Sequence, residues 1–156
     1  METGNIKLNI KRTDSKDIVR LALEAVKFHA ERKRVKIETH VMDDIFIQAD
    51  SDKATWVLVN LLTNAIRYSP ENGKVVLTCE VKNGKTIFSV EDFGPGIEKQ
   101  YLNRLFEKFF QVPGTPSGTG LGLAISKEFI EAQGGSIEVK SEVAKGSNFS
   151  FSLPAA

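Results

Sequence analysis

The sequence predicts an α+β fold in which one mixed β-sheet packs against three long helices. Three segments repeat apolar residues with the 3.6-residue period of amphipathic helices. Shorter segments between them alternate apolar and polar residues as strands do, and glycine, proline or asparagine marks the junctions. Strands interspersed with helices in this way pack as a two-layer sandwich. With 156 residues, the chain has the length of one domain, so we expect residues 1–156 to form a single domain.

The predicted elements follow from local signals along the chain. Asp14 and Asp50 precede helical periodicity and can cap it by accepting backbone N–H groups. Asn83-Gly84 is a favoured two-residue hairpin turn, and Gly134-Gly135 is a helix stop. The predicted elements are, in order, a helix from Asp14 to about Arg34, strands 36–42 and 45–49 joined at Asp43-Asp44, a helix from Asp50 or Ser51 to about Tyr68, strands 75–81 and 85–91, a loop at 92–96 with short helical pieces through Phe110, a helix from about Gly120 to Gln133, and strands 136–141 and 148–153.

Composition excludes several classes of protein. The chain is 41% hydrophobic and 26% charged with a formal net charge of +1, so we predict no nucleic-acid partner. The single cysteine, Cys79, excludes an internal disulfide and a cysteine-rich metal site. No apolar run approaches the roughly 18 residues that a membrane-spanning helix needs. We therefore expect a cytoplasmic domain, which could be one piece of a longer membrane protein.

The predicted second helix carries an unusual polar face. At about 100° per residue, Asn60, Asn64, Arg67 and Tyr68 share one side of this helix. The opposite side carries Leu58, Leu61, Leu62, Ala65 and Ile66. Two carboxamide oxygens one turn apart can ligate a hard cation such as Mg²⁺, and a cation and an aromatic ring suit a phosphate and a flat base. Taken alone, the pattern also fits an ordinary solvated helix face.

Three further segments carry residues that could bind a ligand. Asp92, at a strand end, can accept a hydrogen bond from an exocyclic amine, and Gly94 and Gly96 let the backbone approach a flat ligand. Residues 118–123 (GTGLGL) lead into a helix N-terminus, which favours anions. Lys108, between aromatic anchors, can reach a terminal phosphate. Taken alone, each segment also fits a structural role as a turn, a helix start or a loop anchor.

These segments, in this order, resemble the catalytic ATP-binding domain of sensor histidine kinases. That domain belongs to the GHKL group, together with DNA gyrase, heat-shock chaperone ATPases and mismatch-repair ATPases. Residues 60–68 (NLLTNAIRY) resemble the N box, 92–96 (DFGPG) the first glycine box, 106–110 (FEKFF) the F box and 118–123 the second glycine box. The resemblance covers nearly the whole chain. It implies the Bergerat fold, a two-layer α/β sandwich with a mixed five-stranded sheet on three helices.

The resemblance also implies a cofactor, ATP with Mg²⁺, and a role for each candidate residue. Asn64 would ligate Mg²⁺ with help from Asn60, and Asn64 and Lys108 would be the catalytic residues. Asp92 would accept the adenine amine. The other implied ATP contacts are Arg67, Tyr68, Gly94, Gly96, Ile97, Gly118, Thr119, Gly120, Leu121 and Gly122, the glycines of the second box lying beside a lid at about 111–118.

The sequence departs from the family pattern at two places. The F box often carries arginines, whereas this chain has Lys108 at one such position and Gln111 at another. Lysine keeps the charge but lacks the planar fork of arginine, which changes the implied phosphate contact. The second glycine box often begins with two glycines, whereas Ser117 precedes Gly118 here.

One position separates phosphate transfer from hydrolysis. Hydrolytic members of the group place glutamate four residues before the Asn64 position, as the base for the attacking water. This chain has Asn60 there, which cannot take a proton at neutral pH. A histidine nitrogen already carries a lone pair, so its phosphorylation rests on positioning and charge neutralisation. The resemblance therefore implies a histidine kinase. A GHKL ATPase or serine-kinase-type regulator, and a degenerate nucleotide-binding module, are the alternatives.

The phosphoacceptor of this family is a histidine followed by glutamate or aspartate in a helical hairpin. His29 is followed by Ala30 and His40 by Val41, so we interpret both histidines as structural. The implied partners are the dimerisation hairpin of the parent kinase, on a separate domain, and a response regulator downstream. We expect the isolated chain to be a monomer that does not phosphorylate itself.

Overall fold

The computed structural model describes residues 6–114 and 120–156. Its helices are α1 (Ser15–Lys33), α2 (Ser51–Tyr68), α3 (Lys99–Leu102) and α4 (Gly122–Ala132). Its strands are β1 (Lys11–Asp14), β2 (Lys36–Val41), β3 (Phe46–Ala49), β4 (Lys74–Lys82), β5 (Lys85–Asp92), β6 (Ser136–Glu142) and β7 (Gly146–Pro154). In these described ranges, no helix has the length and apolar character needed to cross a membrane.

The larger sheet confirms the predicted mixed architecture. It has five strands in the order β2-β4-β5-β7-β6. β2 runs parallel to β4, and the other neighbours are antiparallel. Thr86, Phe88, Val90 and Asp92 alternate along β5 as buried residues, because this face of the sheet packs against the helices. The same alternation places Asp92 on the buried face at the end of β5.

Both predicted aspartate caps are present, and α2 divides into the two predicted faces. The Asp14 carboxylate accepts the N–H of Lys16 at 2.9 Å, and the Asp50 carboxylate accepts that of Lys53 at 3.1 Å. The apolar face of α2 is buried, whereas its polar face is only partly covered. Since α2 lies between α1 and α4, its polar face is available to line a site next to α4.

Three features differ from the predicted elements. β3 does not belong to the predicted single sheet, because it pairs with β1 in a separate two-stranded sheet. β1 itself was not predicted, since its sequence KRTD has no apolar alternation. The third long helix begins at Gly122 rather than Gly120, because Gly120 has a φ of 75°, which lies outside the helical range.

Candidate functional site

The polar face of α2 meets a glycine-containing segment near each of its ends. Gly94 lies so close to the end of α2 that a Cβ there would overlap the carbonyl oxygen of Tyr68. Gly122, at the start of α4, lies against Asn60, and a Cβ there would overlap the side-chain oxygen of Asn60. The fold therefore brings the polar helix face, the loop after β5 and the start of α4 into one site.

Asp92 is the most deeply buried charged side chain of this site. It is 2% exposed, and its Oδ1 accepts the N–H of Gly94 at 3.0 Å. Its Oδ2 is buried without a hydrogen-bond partner among the described residues. Burial raises the pKa of this carboxyl, although the backbone N–H groups of Gly94 and Ser147 act in the opposite direction. A buried carboxylate oxygen without a donor is costly, so this atom is poised to accept a hydrogen bond from a ligand.

The loop that follows Asp92 is shaped by the turn between β6 and β7. Gly96 has a φ of 75°, a conformation that favours glycine. A Cβ at Gly96 would overlap the carbonyl oxygen of Glu142 in that turn. The N–H of Ala144 donates to the carbonyl of Pro95 at 2.8 Å. These contacts fix the course of the loop before any ligand is present.

At the other end of the site, the polar side chains of α2 bond to protein groups. Arg67 Nη1 donates to Asn64 Oδ1 at 3.1 Å. Asn60 Nδ2 donates at 3.3 Å to the hydroxyl of Ser126, which is buried in α4. In the described ranges, no group of three or more histidine, cysteine, aspartate or glutamate side chains could hold a metal ion. Asn60 and Asn64 carry the side-chain amide oxygens of this face, and the oxygen of Asn64 is bonded to Arg67.

The aromatic segment and the start of α4 meet through their backbones. The N–H of Phe109 donates to the carbonyl of Gly120 at 2.8 Å. Lys108, next to Phe109, is exposed to solvent. Leu121 occupies the N-cap position of α4, where no side chain of the described residues caps the helix. Gly118 and Thr119, two of the predicted phosphate contacts, lie outside the described residues.

Sequence reasoning missed three serines that contact the predicted site residues. Ser126 bonds to Asn60, Ser141 accepts the N–H of Ile97, and Ser147 lies opposite Asp92 in the β5–β7 register. The sequence of the final hairpin indicates no chemical role, because its alternation is that of an ordinary half-buried pair of strands. In the structure, the buried pair Gly146-Ser147 interrupts that alternation, but this burial is not visible in the sequence.

Comparison with known proteins assigns this arrangement to a family. The model of a family described as histidine kinase-, DNA gyrase B- and HSP90-like ATPase matches residues 49–156. The chain belongs to this family. The matched residues include α2, both glycine-containing segments and the final hairpin, and the match confirms the resemblance that the motifs indicated.

Named relatives of this ATPase-family domain are sensor kinases. Sensor histidine kinase WalK of Bacillus subtilis (strain 168) is 36% identical over 165 residues, which cover 94% of this chain. The chain spans only 27% of the length of WalK. Full-length ShkA in complex with AMPPNP superposes with a TM-score of 0.87 at 33% identity, over 97% of this chain and 32% of that one. Histidine kinase ThkA in complex with the response regulator TrrA superposes with a TM-score of 0.81 at 26% identity, over 94% and 42% of the two chains.

Proposed function

We propose that this domain binds Mg-ATP and donates the γ-phosphoryl group to a histidine on a separate helical hairpin domain. The observation that carries the proposal is the buried Oδ2 of Asp92, which lacks a donor among the described residues. Asp92 begins a loop whose glycines permit close approach of a flat ligand, and adenine carries the exocyclic amine that would donate to Oδ2. The AMPPNP complex of ShkA supports an adenine nucleotide as the ligand.

The base end of the site would recognise adenine with little rearrangement. Asp92 accepts the amine through Oδ2 while its Oδ1 stays bonded to Gly94. Gly96 and Ile97 line the base, and Tyr68 covers it from the end of α2. The loop carries Gly96 and Ile97 on a backbone that the β6–β7 turn already holds. Preorganisation of this kind lowers the ordering cost of binding.

The donor atoms on α2 fit Mg²⁺, which prefers oxygen ligands. Asn64 would provide its amide oxygen, with Asn60 assisting, and water and phosphate oxygens would complete the shell. Arg67 now donates to Asn64 Oδ1, so it would release that oxygen and turn its guanidinium to phosphate. The further phosphate contacts would come from Lys108 and the start of α4, with Gly118, Thr119, Gly120, Leu121 and Gly122. Bound Mg-ATP would supply the transferable phosphoryl group.

The chemistry of Asn60 favours transfer over hydrolysis. Asn60 bonds to Ser126 and packs on Gly122, and an amide there cannot take a proton from water. An attacking histidine brings its own lone pair, so the protein has only to position the phosphate and neutralise its charge. Asn64 and Lys108 would perform these two tasks.

The proposal extends to the partners of the domain. The acceptor would be the histidine-containing hairpin of the parent kinase, and the phosphoryl group would then pass to a response regulator. The complex of ThkA with TrrA supports a regulator as downstream partner. Four further statements remain predictions. We expect residues 1–156 to form a single domain, and we expect that domain to be monomeric, to lie in the cytoplasm and to bind no nucleic acid.

The transfer assay that tests this function uses the whole chain and a purified histidine hairpin from the parent kinase. We expect labelled γ-phosphate from Mg-ATP to appear on the hairpin as an acid-labile adduct, and a histidine-to-glutamine hairpin to stay unlabelled. Phosphate release by the chain alone should be negligible. Rapid phosphate release without hairpin labelling would overturn the proposal and favour a hydrolytic ATPase.

A further inference from the structure

The two ends of the loop between Asp92 and Ile97 are both anchored to the β6–β7 hairpin. At the first end, Asp92 lies opposite Ser147 in the antiparallel register of β5 and β7. At the other end, the N–H of Ile97 donates to the Ser141 hydroxyl at 2.8 Å. Ser141 and Ser147 are themselves opposite each other in the register of β6 and β7. A single pair of serines therefore joins both ends of the loop.

The hydrogen-bonding capacity of Ser141 is fully used in this arrangement. Its hydroxyl oxygen lies 3.0 Å from the carbonyl of Gly146 and 2.7 Å from the Ser147 hydroxyl. A serine hydroxyl has one proton to donate and two lone pairs. If Ser141 donates to Gly146, it accepts from both Ile97 and Ser147. Replacement by alanine would remove all three bonds and leave the Ile97 N–H without its acceptor.

The backbone around these serines leaves the loop little room to shift. Gly146 has a φ of 111°, and a Cβ there would overlap the carbonyl oxygen of Asp92. Gly96 packs in the same way on the carbonyl of Glu142. The close backbone contacts prevent the loop from moving inward, and the Ser141 bond prevents Ile97 from moving away.

From these contacts we infer that Ser141 is a positioning residue for base recognition, acting through the Ile97 N–H on the loop that carries Asp92 and Gly96. This inference rests on the proposed function, because it takes the loop to be the adenine site. The hydroxyl of Ser141 bonds to Ile97, Gly146 and Ser147, and none of these three is a proposed phosphate or metal contact. Its effect therefore falls on the affinity for the base and not on the chemical step.

The chain offers a matched control at the far end of the same hairpin. Ser136 and Ser152 also lie opposite each other in β6 and β7, and their hydroxyl oxygens are 3.1 Å apart. Ser136→Ala thus removes a serine–serine contact of the same kind that has no connection to the loop. Ser141→Thr keeps the hydroxyl on a residue type that strands accept well.

The test is calorimetric titration of the whole chain with Mg-ATP, and with ATP and ADP in EDTA. Loss of a buried acceptor for Ile97 should make Ser141→Ala about tenfold weaker for all three ligands. Ser141→Thr should recover most of the affinity, and Ser136→Ala should match the wild type. In the transfer assay, Ser141→Ala should raise KM and leave kcat unchanged. Hydrogen exchange of the Ile97 amide should accelerate in Ser141→Ala alone.

The outcomes separate this inference from the proposed function. Wild-type chain that binds no adenine nucleotide would refute the proposed function and the inference with it. Wild-type binding with unchanged affinity in a folded Ser141→Ala variant would refute the inference alone. Equal losses in Ser141→Ala and Ser136→Ala would also refute it, since they would show a general effect of hairpin stability. If Ser141→Ala does not fold, failure of Ser141→Thr to bind as the wild type does would contradict the positioning role.

Discussion

The two ends of the candidate site are built differently. At the base end, backbone contacts and the β6–β7 turn hold the loop from Asp92 to Ile97, and one carboxylate oxygen is left without a donor among the described residues. At the phosphate end, the functional side chains of α2 already bond to protein groups, Arg67 to Asn64 and Asn60 to Ser126. Under the proposed function, the base end is preformed, whereas the phosphate end would exchange internal hydrogen bonds for contacts to the nucleotide and its metal.

The largest effect is expected from a methyl group at the preformed end. Gly96 and Gly84 both have a φ of 75°, but a Cβ at Gly84 has no heavy atom within 4 Å, whereas one at Gly96 overlaps Glu142. Gly84→Ala should cost about 1–2 kcal/mol of unfolding free energy from backbone strain. Gly96→Ala should cost about 1–3 kcal/mol more from overlap, and it should abolish ATP binding. Urea unfolding measures both values, and equal losses would contradict a rigidly held loop.

Asp92→Asn should weaken ATP binding, although it removes a buried carboxyl group from the folded protein. We expect a loss of about 1–3 kcal/mol in ATP binding free energy, because the adenine amine loses its carboxylate partner. Glu91→Gln, one residue away and partly exposed, should bind ATP as the wild type does. Calorimetry with the two variants checks this difference, and wild-type affinity in Asp92→Asn would refute the assignment.

The same substitution should change the pH dependence of stability. Burial raises the pKa of Asp92 above its ordinary value of 3.8, so the folded state holds the proton more tightly than the unfolded state. The stability that the protonated Asp92 contributes is fully present below pH 3.8, the ordinary pKa of the group. It is lost as the pH rises through the raised pKa of the folded state. Asp92→Asn should lack this decline in urea unfolding measured from acid to neutral pH. A variant with the same decline as the wild type would contradict the pKa direction.

A smaller and more selective effect is expected at the phosphate end. Asn64→Ala should reduce the Mg²⁺-dependent gain in ATP affinity about tenfold, which is equivalent to about 1.4 kcal/mol. Thr63→Ala is the matched control on α2, because among the described residues its hydroxyl bonds within the helix, to the Val59 carbonyl at 2.8 Å. Titration at increasing Mg²⁺ concentration measures the gain. An undiminished gain in Asn64→Ala would remove Asn64 from the metal site.

The polar face of α2 could be predicted because it depends on local sequence alone. The helical period places Asn60, Asn64, Arg67 and Tyr68 together whatever the rest of the chain does. The aspartate caps and the turn at Asn83-Gly84, where both residues have positive φ, are local in the same sense. Together with the strand and helix patterns, these local signals were sufficient to predict the α+β sandwich, whereas the roles of the residues on the polar face stay predictions.

The contacts that hold the base loop could not be predicted, because they join distant parts of the chain. Ser141 and Ile97 are 44 residues apart, and nothing in the sequence of either segment specifies the other. The second sheet could not be predicted for the same reason, since β2 and β3 follow each other in the chain but lie in different sheets. Tertiary packing decided both, and the sequence pattern around each serine is that of any half-buried strand.

We expect the base end to be preformed and independent of metal, and the phosphate end to act through the metal. Calorimetric titration of the wild type, Asp92→Asn and Asn64→Ala with ATP, once with Mg²⁺ and once with EDTA, tests this expectation most directly. We predict that Asp92→Asn loses the same factor in affinity under both conditions and that Asn64→Ala loses affinity only with Mg²⁺. An equal loss for Asn64→Ala in EDTA, or no loss for Asp92→Asn in either condition, would contradict the account.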